Sequence, residues 1–378
     1  MKKPILALLP LLLALSAPAW GAYTKSATIT VPAAQVSTAD QANFTVCGYV
    51  TDTSLTAGAA VIKHTANVNN QTVPLDFILT TDTSGLVLMN WEIVGYDSTA
   101  GKVWYCALVT TLSHSNPNVF YAFWGNTATT TFQGGLVGSA WDTYTQAVFH
   151  LYGLSLYDSS AHANNGGTLS ATPPVADTTG PYGGGAAFTA ASSEYISIPN
   201  SSSLNQTGNI TVSAWIYYTA TQSDYQVGKQ ADGGNNGYGL ATGSGGGSGW
   251  FYPYINNVDT GQGGIISAWG QFAETVNGTS MYSYTNGSYQ NSAYTGNGPF
   301  SNTNPLILGS NQSLANFYNG KLAEVRIAST YRSAGWLATE YNDGHAPATF
   351  ATVTGIGNCT GTCGGGATPT VTMTPIIM

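Results

Sequence analysis

The chain has 378 residues, of which only 7% are charged, against about 25% in an average soluble protein. Nine Lys and Arg against 17 Asp and Glu exclude a broad basic footprint, and with it nucleic acid as a partner. Hydrophobic content is an ordinary 43%, so a core can form beneath a surface that is polar through Ser, Thr, Asn, Gln and Tyr rather than through charge.

In chain order, the first feature is a leader. Lys2 and Lys3 precede an apolar run from Ile5 to Leu15, and small residues follow at Ser16-Ala17-Pro18-Ala19-Trp20-Gly21. Residues 1–21 therefore read as a bacterial-type secretory signal peptide cleaved after Ala19 or Gly21, because the apolar run is shorter than the ~20 residues a span needs. No later stretch approaches spanning length, so the mature chain is expected to be secreted, acidic and without a transmembrane segment.

An oxidising compartment favours disulfides. Cys47 and Cys106 each lie in strand-like runs, Phe44–Val50 and Val103–Val109, and are expected to bridge two strands. Cys359 and Cys363 are expected to close a small local loop. Zinc needs further Cys or His ligands close by, and none follows.

The mature chain reads as short strands throughout: Ala27–Val31, Phe77–Thr80, Val103–Val109, Val119–Trp124, Ile210–Tyr218 and Leu322–Ile327 are rich in β-branched and aromatic residues and bounded by turn formers. Asn277-Gly278, Asn286-Gly287 and Asn319-Gly320 carry hairpin-turn chemistry. One helical turn is predicted at Ser333–Tyr341, with Ser333 as N-cap and Trp336, Leu337 and Tyr341 on one face. No parallel α/β alternation occurs. The fold class is thus all-β, with two consecutive β-sandwich domains at 22–133 and 140–350. Residues 351–378 form a Cys-containing tail or linker rich in Gly, Thr and Pro.

Residues 140–350 resemble a LamG-like jelly roll of the concanavalin A-like lectin/glucanase superfamily. The signposts come in order: Phe149-His150-Leu151-Tyr152, Asp158–Gly166, Gly185-Ala186-Ala187-Phe188, Glu194–Pro199, Ile210–Ile216, Trp269–Ala273, Met281–Gly287 and Phe317–Ile327. Residues 25–130 resemble a bacterial domain of unknown function found before such jelly rolls, through Asn43–Val46, Pro74–Thr80, Trp91–Asp97, Lys102-Val103-Trp104 and Phe120–Asn126. The resemblance implies a β-sandwich there and no known activity.

The jelly-roll resemblance also implies a calcium ion held by loop oxygens, with Asp158 at a position where such domains have an acidic ligand. Ala323 replaces an acid of the family's closing strand, and Asp158 capping its own turn is the alternative. Glucanases of this superfamily set two acids on one strand; here Glu324 is followed at that spacing by Arg326, which reads as a structural pair. The other acids, Glu92, Asp97, Glu194, Asp224, Asp232, Asp259 and Glu274, are isolated in sequence. No serine elbow, zinc-protease or phosphate-loop motif is present.

Aromatic residues point to binding. Nine Trp and 23 Tyr exceed what a core requires, and in Gly249-Trp250-Phe251-Tyr252-Pro253-Tyr254 alternation puts Trp250, Tyr252 and Tyr254 on one face. Glycines at 245, 246, 247 and 249 supply no side chains to cover that face, so the rings are a platform if it is open and core if it is closed. Sugar rings stack on such side chains while Asn hydrogen-bonds hydroxyls, and Asn235, Asn236, Asn256 and Asn257 are near. The expected function is non-catalytic recognition of a polysaccharide or a cell-surface glycan or protein. The alternatives are a structural or adhesion spacer and a glycoside hydrolase.

Overall fold

A computed structural model describes residues 23–359 except 61, 63, 69–70, 220–223, 231–235, 244–249, 257 and 262–266, together with Cys363. The leader, the glycine run before Trp250 and the tail after Cys363 lie outside the described residues. No helix among the described residues is long and apolar enough to cross a membrane.

The first sandwich packs a four-stranded antiparallel sheet on a three-stranded one. In the four-stranded sheet, Lys25–Val31 lies between Thr352–Asn358 and Asn118–Trp124, and Ile78–Thr80 forms the far edge. The other sheet has Lys102–Leu112 between Gln41–Thr51 and Trp91–Asp97. Alternation drives this burial: Ala27, Ile29 and Val31 face in, meeting Phe44, Val46, Trp91, Tyr105 and Phe120 in one apolar core. The strand Thr352–Asn358 corrects the reading of 351–378 as a tail or linker. Its Thr-Val-Thr-Gly composition hides a strand because it is an edge strand, mostly exposed, held by backbone pairing rather than side-chain burial. Beyond it the two cysteines close as expected: Cys359 and Cys363 are bonded, and their backbones pair with Thr24 and Tyr23.

The second sandwich has a seven-stranded sheet facing an eight-stranded one. Ala214, Ile216 and Tyr218 of Thr211–Tyr218 face the core with Leu240, Phe251, Phe272, Met281 and Ile327. The Asn277-Gly278 and Asn286-Gly287 turns join consecutive strands as expected, with Gly278, Asn286 and Gly287 all at positive φ. Asn319-Gly320 makes no hairpin; it opens the strand Gly320–Ala328. The helix runs from Ala334 to His345, capped by Ser333 accepting from the Trp336 amide. Leu337 packs on Ala273 and Tyr284, while Trp336 meets Phe44 of the first sandwich at 4.9 Å.

One core residue breaks the pattern. Glu274 shares the inward face of its strand with Phe272 and Val276 and is fully buried, with the Gly239 and Tyr254 backbone amides beside its carboxyl. Burial pushes its carboxyl well above the ordinary range. A carboxyl raised on folding makes stability fall as pH rises above the unfolded group's pKa, by about 1.4 kcal/mol per pH unit until the folded group ionises. Glu274→Gln is therefore expected to melt higher than the parent at pH 8, and the gap should shrink toward pH 4.5. A gap independent of pH in differential scanning calorimetry would count against this reading.

The two sandwiches meet along the outer face of the three-stranded sheet. Cys47 and Cys106 are directly opposed on paired strands, are bonded as expected, and lie fully buried against Trp104, Trp141, Val148 and Tyr182. The helix seals the seam from the side: an Asp343 carboxylate oxygen accepts from the Cys47 amide at 3.0 Å, and Ser37 and Gln35 bond Thr339 and Asn342.

Candidate functional site

The strand Trp250–Ile255 alternates as its sequence implies. Phe251 and Ile255 point into the core, Phe251 lying 4.6 Å from Phe272, so Trp250, Tyr252 and Tyr254 share the outer face. They do not share an environment. Trp250 and Tyr252 are half-buried, opposite Gly243 and Ala241, which are too small to cover a ring. Gly261 lies against both rings, where an added Cβ would come within 2.9 Å of Tyr252 and 3.5 Å of Trp250. Tyr254 is only 7% exposed. It sinks over Gly239, whose added Cβ would strike the phenol at 2.3 Å, and packs edge-on against Tyr225. Tyr254 therefore leaves the expected platform, which has two rings rather than three.

Asn256 also departs from the expectation. Its Oδ1 accepts from the Gly237 and Phe300 amides at 3.1 and 2.8 Å, and its Nδ2 donates to the Gly298 carbonyl at 2.7 Å. These bonds consume the side chain in bracing the turn, where Asn256 adopts φ 48°. Asn235 and Asn257 lie outside the described residues.

Asp158 is fully buried and already saturated. Its carboxylate accepts from the amides of Val148, Ser160 and Asn164 at 2.8, 2.9 and 2.7 Å, from the Ser160 hydroxyl at 2.9 Å and from Asn164 Nδ2 at 2.8 Å. Calcium needs six to eight oxygens, whereas this loop turns hydrogen-bond donors toward the acid. The residues present do not fit the ion, and Asp158 is a loop tie, as in the turn-capping alternative. An oxygen-lined cage does exist elsewhere, and an ammonium fills it. Buried Lys229 donates to Asn200 Oδ1 at 2.9 Å and to the Asn302 and Asn304 carbonyls at 3.2 and 2.7 Å, and burial lowers its pKa to about 8.

Residues 190–338 match the Laminin_G_3 family, of the concanavalin A-like lectin/glucanases superfamily. The second sandwich is a concanavalin A-like domain. Among solved structures, the chain is similar to the binding domain of Paraclostridial Mosquitocidal Protein 1 (TM-score 0.43, 14% identity, 52% of each chain). It is also similar to domain 4 of AbnA, a GH43 extracellular arabinanase from Geobacillus stearothermophilus, solved with arabinotriose (0.44, 18%, 51% of this chain and 96% of that one). A third is the receptor-binding domain of botulinum neurotoxin mosaic serotype C/D (0.40, 14%, 52% and 50%). The chain spans about half the length of each of these two toxin domains. No curated protein matches the sequence.

The concanavalin A-like domain contributes most of a charge network that its sequence did not announce. Glu324 pairs with Arg326 at 2.9 Å, as the spacing implied. His150 then joins Glu324 at 2.7 Å to Glu92 of the first sandwich at 3.3 Å, and the Trp141 indole donates to Glu92 at 2.7 Å. Arg326 lies over the Trp141 ring, 5.0 Å from its centroid, and 3.8 Å from Glu340, which accepts from Ser213 at 2.7 Å. Burial alone would lower the His150 pKa, but Glu324 and Glu92 raise it to about 9; in return, against the upward push of burial, His150 and Arg326 hold Glu324 below the usual carboxylate range. Two carboxylates thus converge on one histidine. The seam covers them, with side-chain exposures of 14% or less. Cys106 also comes within reach of Glu92 and His150, but its sulfur is bonded to Cys47 and offers no thiolate for a metal.

Proposed function

We propose that this protein is a secreted, non-catalytic carbohydrate-binding protein, in which the Trp250–Tyr252 face engages polysaccharide and the first sandwich is a fixed support. The observation that carries the reading is the pair of half-exposed rings beside Gly243, Ala241 and Gly261, positions where larger side chains would close the face. The two disulfides and the leader-like residues 1–21 support export. A spacer role is the second reading, favoured by the sealed seam, which turns two sandwiches into one stiff unit.

Trp250→Ala separates the two. Base–aromatic stacking is worth about 1–3 kcal/mol per ring, so affinity for soluble polysaccharides in affinity electrophoresis (β-glucan, xylan and arabinan as probes) should drop about tenfold. The melting temperature should stay within a few degrees. Tyr254→Ala is the contrast: its ring is buried, so it should lose about 3 kcal/mol of stability instead. A parent that binds none of the probes leaves the spacer reading standing. A Trp250→Ala variant that melts far lower returns that ring to the core.

A further inference from the structure

A second aromatic site lies on the opposite, eight-stranded sheet. Trp269, Tyr217 and Lys321 are cross-strand neighbours in register on three adjacent strands: Tyr217 pairs with Trp269 on one side and with Lys321 on the other. Ser213, Trp215 and Tyr217 point away from the core, whose share of that strand is Ala214, Ile216 and Tyr218. The helix Ala334–His345 covers part of this outer face, where Tyr341 stacks on Trp215 at 5.8 Å. Tyr217 and Trp269, at the end of the strand pair, remain half-exposed. On the other flank the row continues through Ala187, paired with Lys321, to the exposed Val175.

The polar groups around the rings are fixed. The Trp269 indole donates to Thr179 Oγ1 at 3.1 Å, and the Thr179 hydroxyl donates to Asp177 Oδ2 at 2.7 Å. The Lys321 ammonium donates to Thr179 Oγ1 at 3.0 Å and to Asp177 Oδ1 at 2.6 Å, and lies 5.3 Å from the centre of the Tyr217 ring. Trp269 is thus tethered at its nitrogen and rests beside Gly185, whose added Cβ would be 3.5 Å away. Ordering these groups before a ligand arrives removes much of the entropy cost of binding. Lys321 has three N–H donors, of which two are used, and its side chain is 27% exposed. Asp177 Oδ1 has lone pairs to spare.

We infer that the Trp269–Tyr217–Lys321–Asp177 cluster is a saccharide-binding site separate from the Trp250 face, taking a neutral sugar residue. Its apolar face stacks on the aromatic rings, and two of its hydroxyls bond the Lys321 ammonium and the Asp177 carboxylate. The neighbouring acid and the chain's formal charge of −8 set the site against polyuronates, since the Lys321 charge is already matched by Asp177. The inference rests on the carbohydrate-binding reading, and it makes the domain bivalent, with one site on each sheet.

The test uses the full chain and its Trp250→Ala variant with soluble β-glucan, xylan, arabinan and polygalacturonate as probes. Trp269→Ala in the Trp250→Ala background should remove the binding that remains, and Lys321→Gln should weaken it about tenfold. Polygalacturonate should bind more weakly than the neutral probes in every variant. If Trp269→Ala unfolds, the Trp269 indole N–H resonance, assigned by Trp269→Phe, decides: a shift on adding the bound neutral probe supports the site, and no shift overturns it. Parent binding that Trp250→Ala abolishes and Trp269→Ala leaves untouched overturns this site alone. A parent that binds no probe overturns the carbohydrate reading as well.

Discussion

Replacing His150 with alanine is expected to cost about 3–5 kcal/mol at pH 6, the range for breaking one partner out of a buried ion pair, and much less at pH 10. The imidazolium stands between Glu324, 1% exposed, and Glu92, and its removal leaves Glu324 buried with Arg326 alone. The pH dependence follows from the direction of the shift. Folding holds His150 at about 9 against an ordinary value of 6.5, so the stabilisation is complete below about 6.5 and fades as pH rises through 9. Over that window the linkage amounts to about 3 kcal/mol. Urea unfolding of the parent and His150→Ala at both pH values checks this. Equal losses at pH 6 and pH 10 would mean that the imidazolium is not the group holding the seam.

The second large effect belongs to Cys47–Cys106. The bridge joins cysteines 59 positions apart, for which the chain-entropy account gives about 4 kcal/mol. Both sulfurs are also fully buried in the seam, so the Cys47→Ala/Cys106→Ala variant loses packing against Trp104 and Tyr182 besides. A loss of at least about 4 kcal/mol is expected, with weaker attachment of the two sandwiches shown by faster proteolysis between residues 124 and 145. Cys359→Ala/Cys363→Ala opens a loop spanning only four positions and should cost about half as much. If both double variants melt alike, loop length is not what sets the contribution of either bridge.

The features legible in the sequence are those encoded locally. Strand alternation marked the inward faces of Lys25–Val31 and Thr211–Tyr218, Ser333 marked the helix start, and two strand-like runs placed Cys47 opposite Cys106. Alternation also assigned Trp250, Tyr252 and Tyr254 to one side of the sheet. It could not say which rings stay open, because that depends on Gly239, Ala241 and Gly243 on the neighbouring strand. The aspartate at 158 stood where the family resemblance implied a ligand, with turn capping as the alternative, whereas the five donors facing it are mostly backbone. The charge network was the least legible feature. Glu92, His150, Glu324 and Glu340 come from four distant segments, and only the Glu324–Arg326 spacing placed two members together. Trp269, Tyr217 and Lys321 were missed for the same reason, since each is unremarkable until three strands are set in register.

The pairing of Lys25–Val31 with Thr352–Asn358 has a consequence for synthesis. Lys25 meets Asn358, 333 residues later, so at about 5–20 residues per second the ribosome needs roughly 20–70 s to deliver the partner. Throughout that interval the nascent amino-terminal half carries an open β edge able to recruit any extended segment nearby. Folding in the order of emergence is therefore hazardous for this chain. A holding chaperone, or delayed collapse until release, would keep that edge from pairing prematurely.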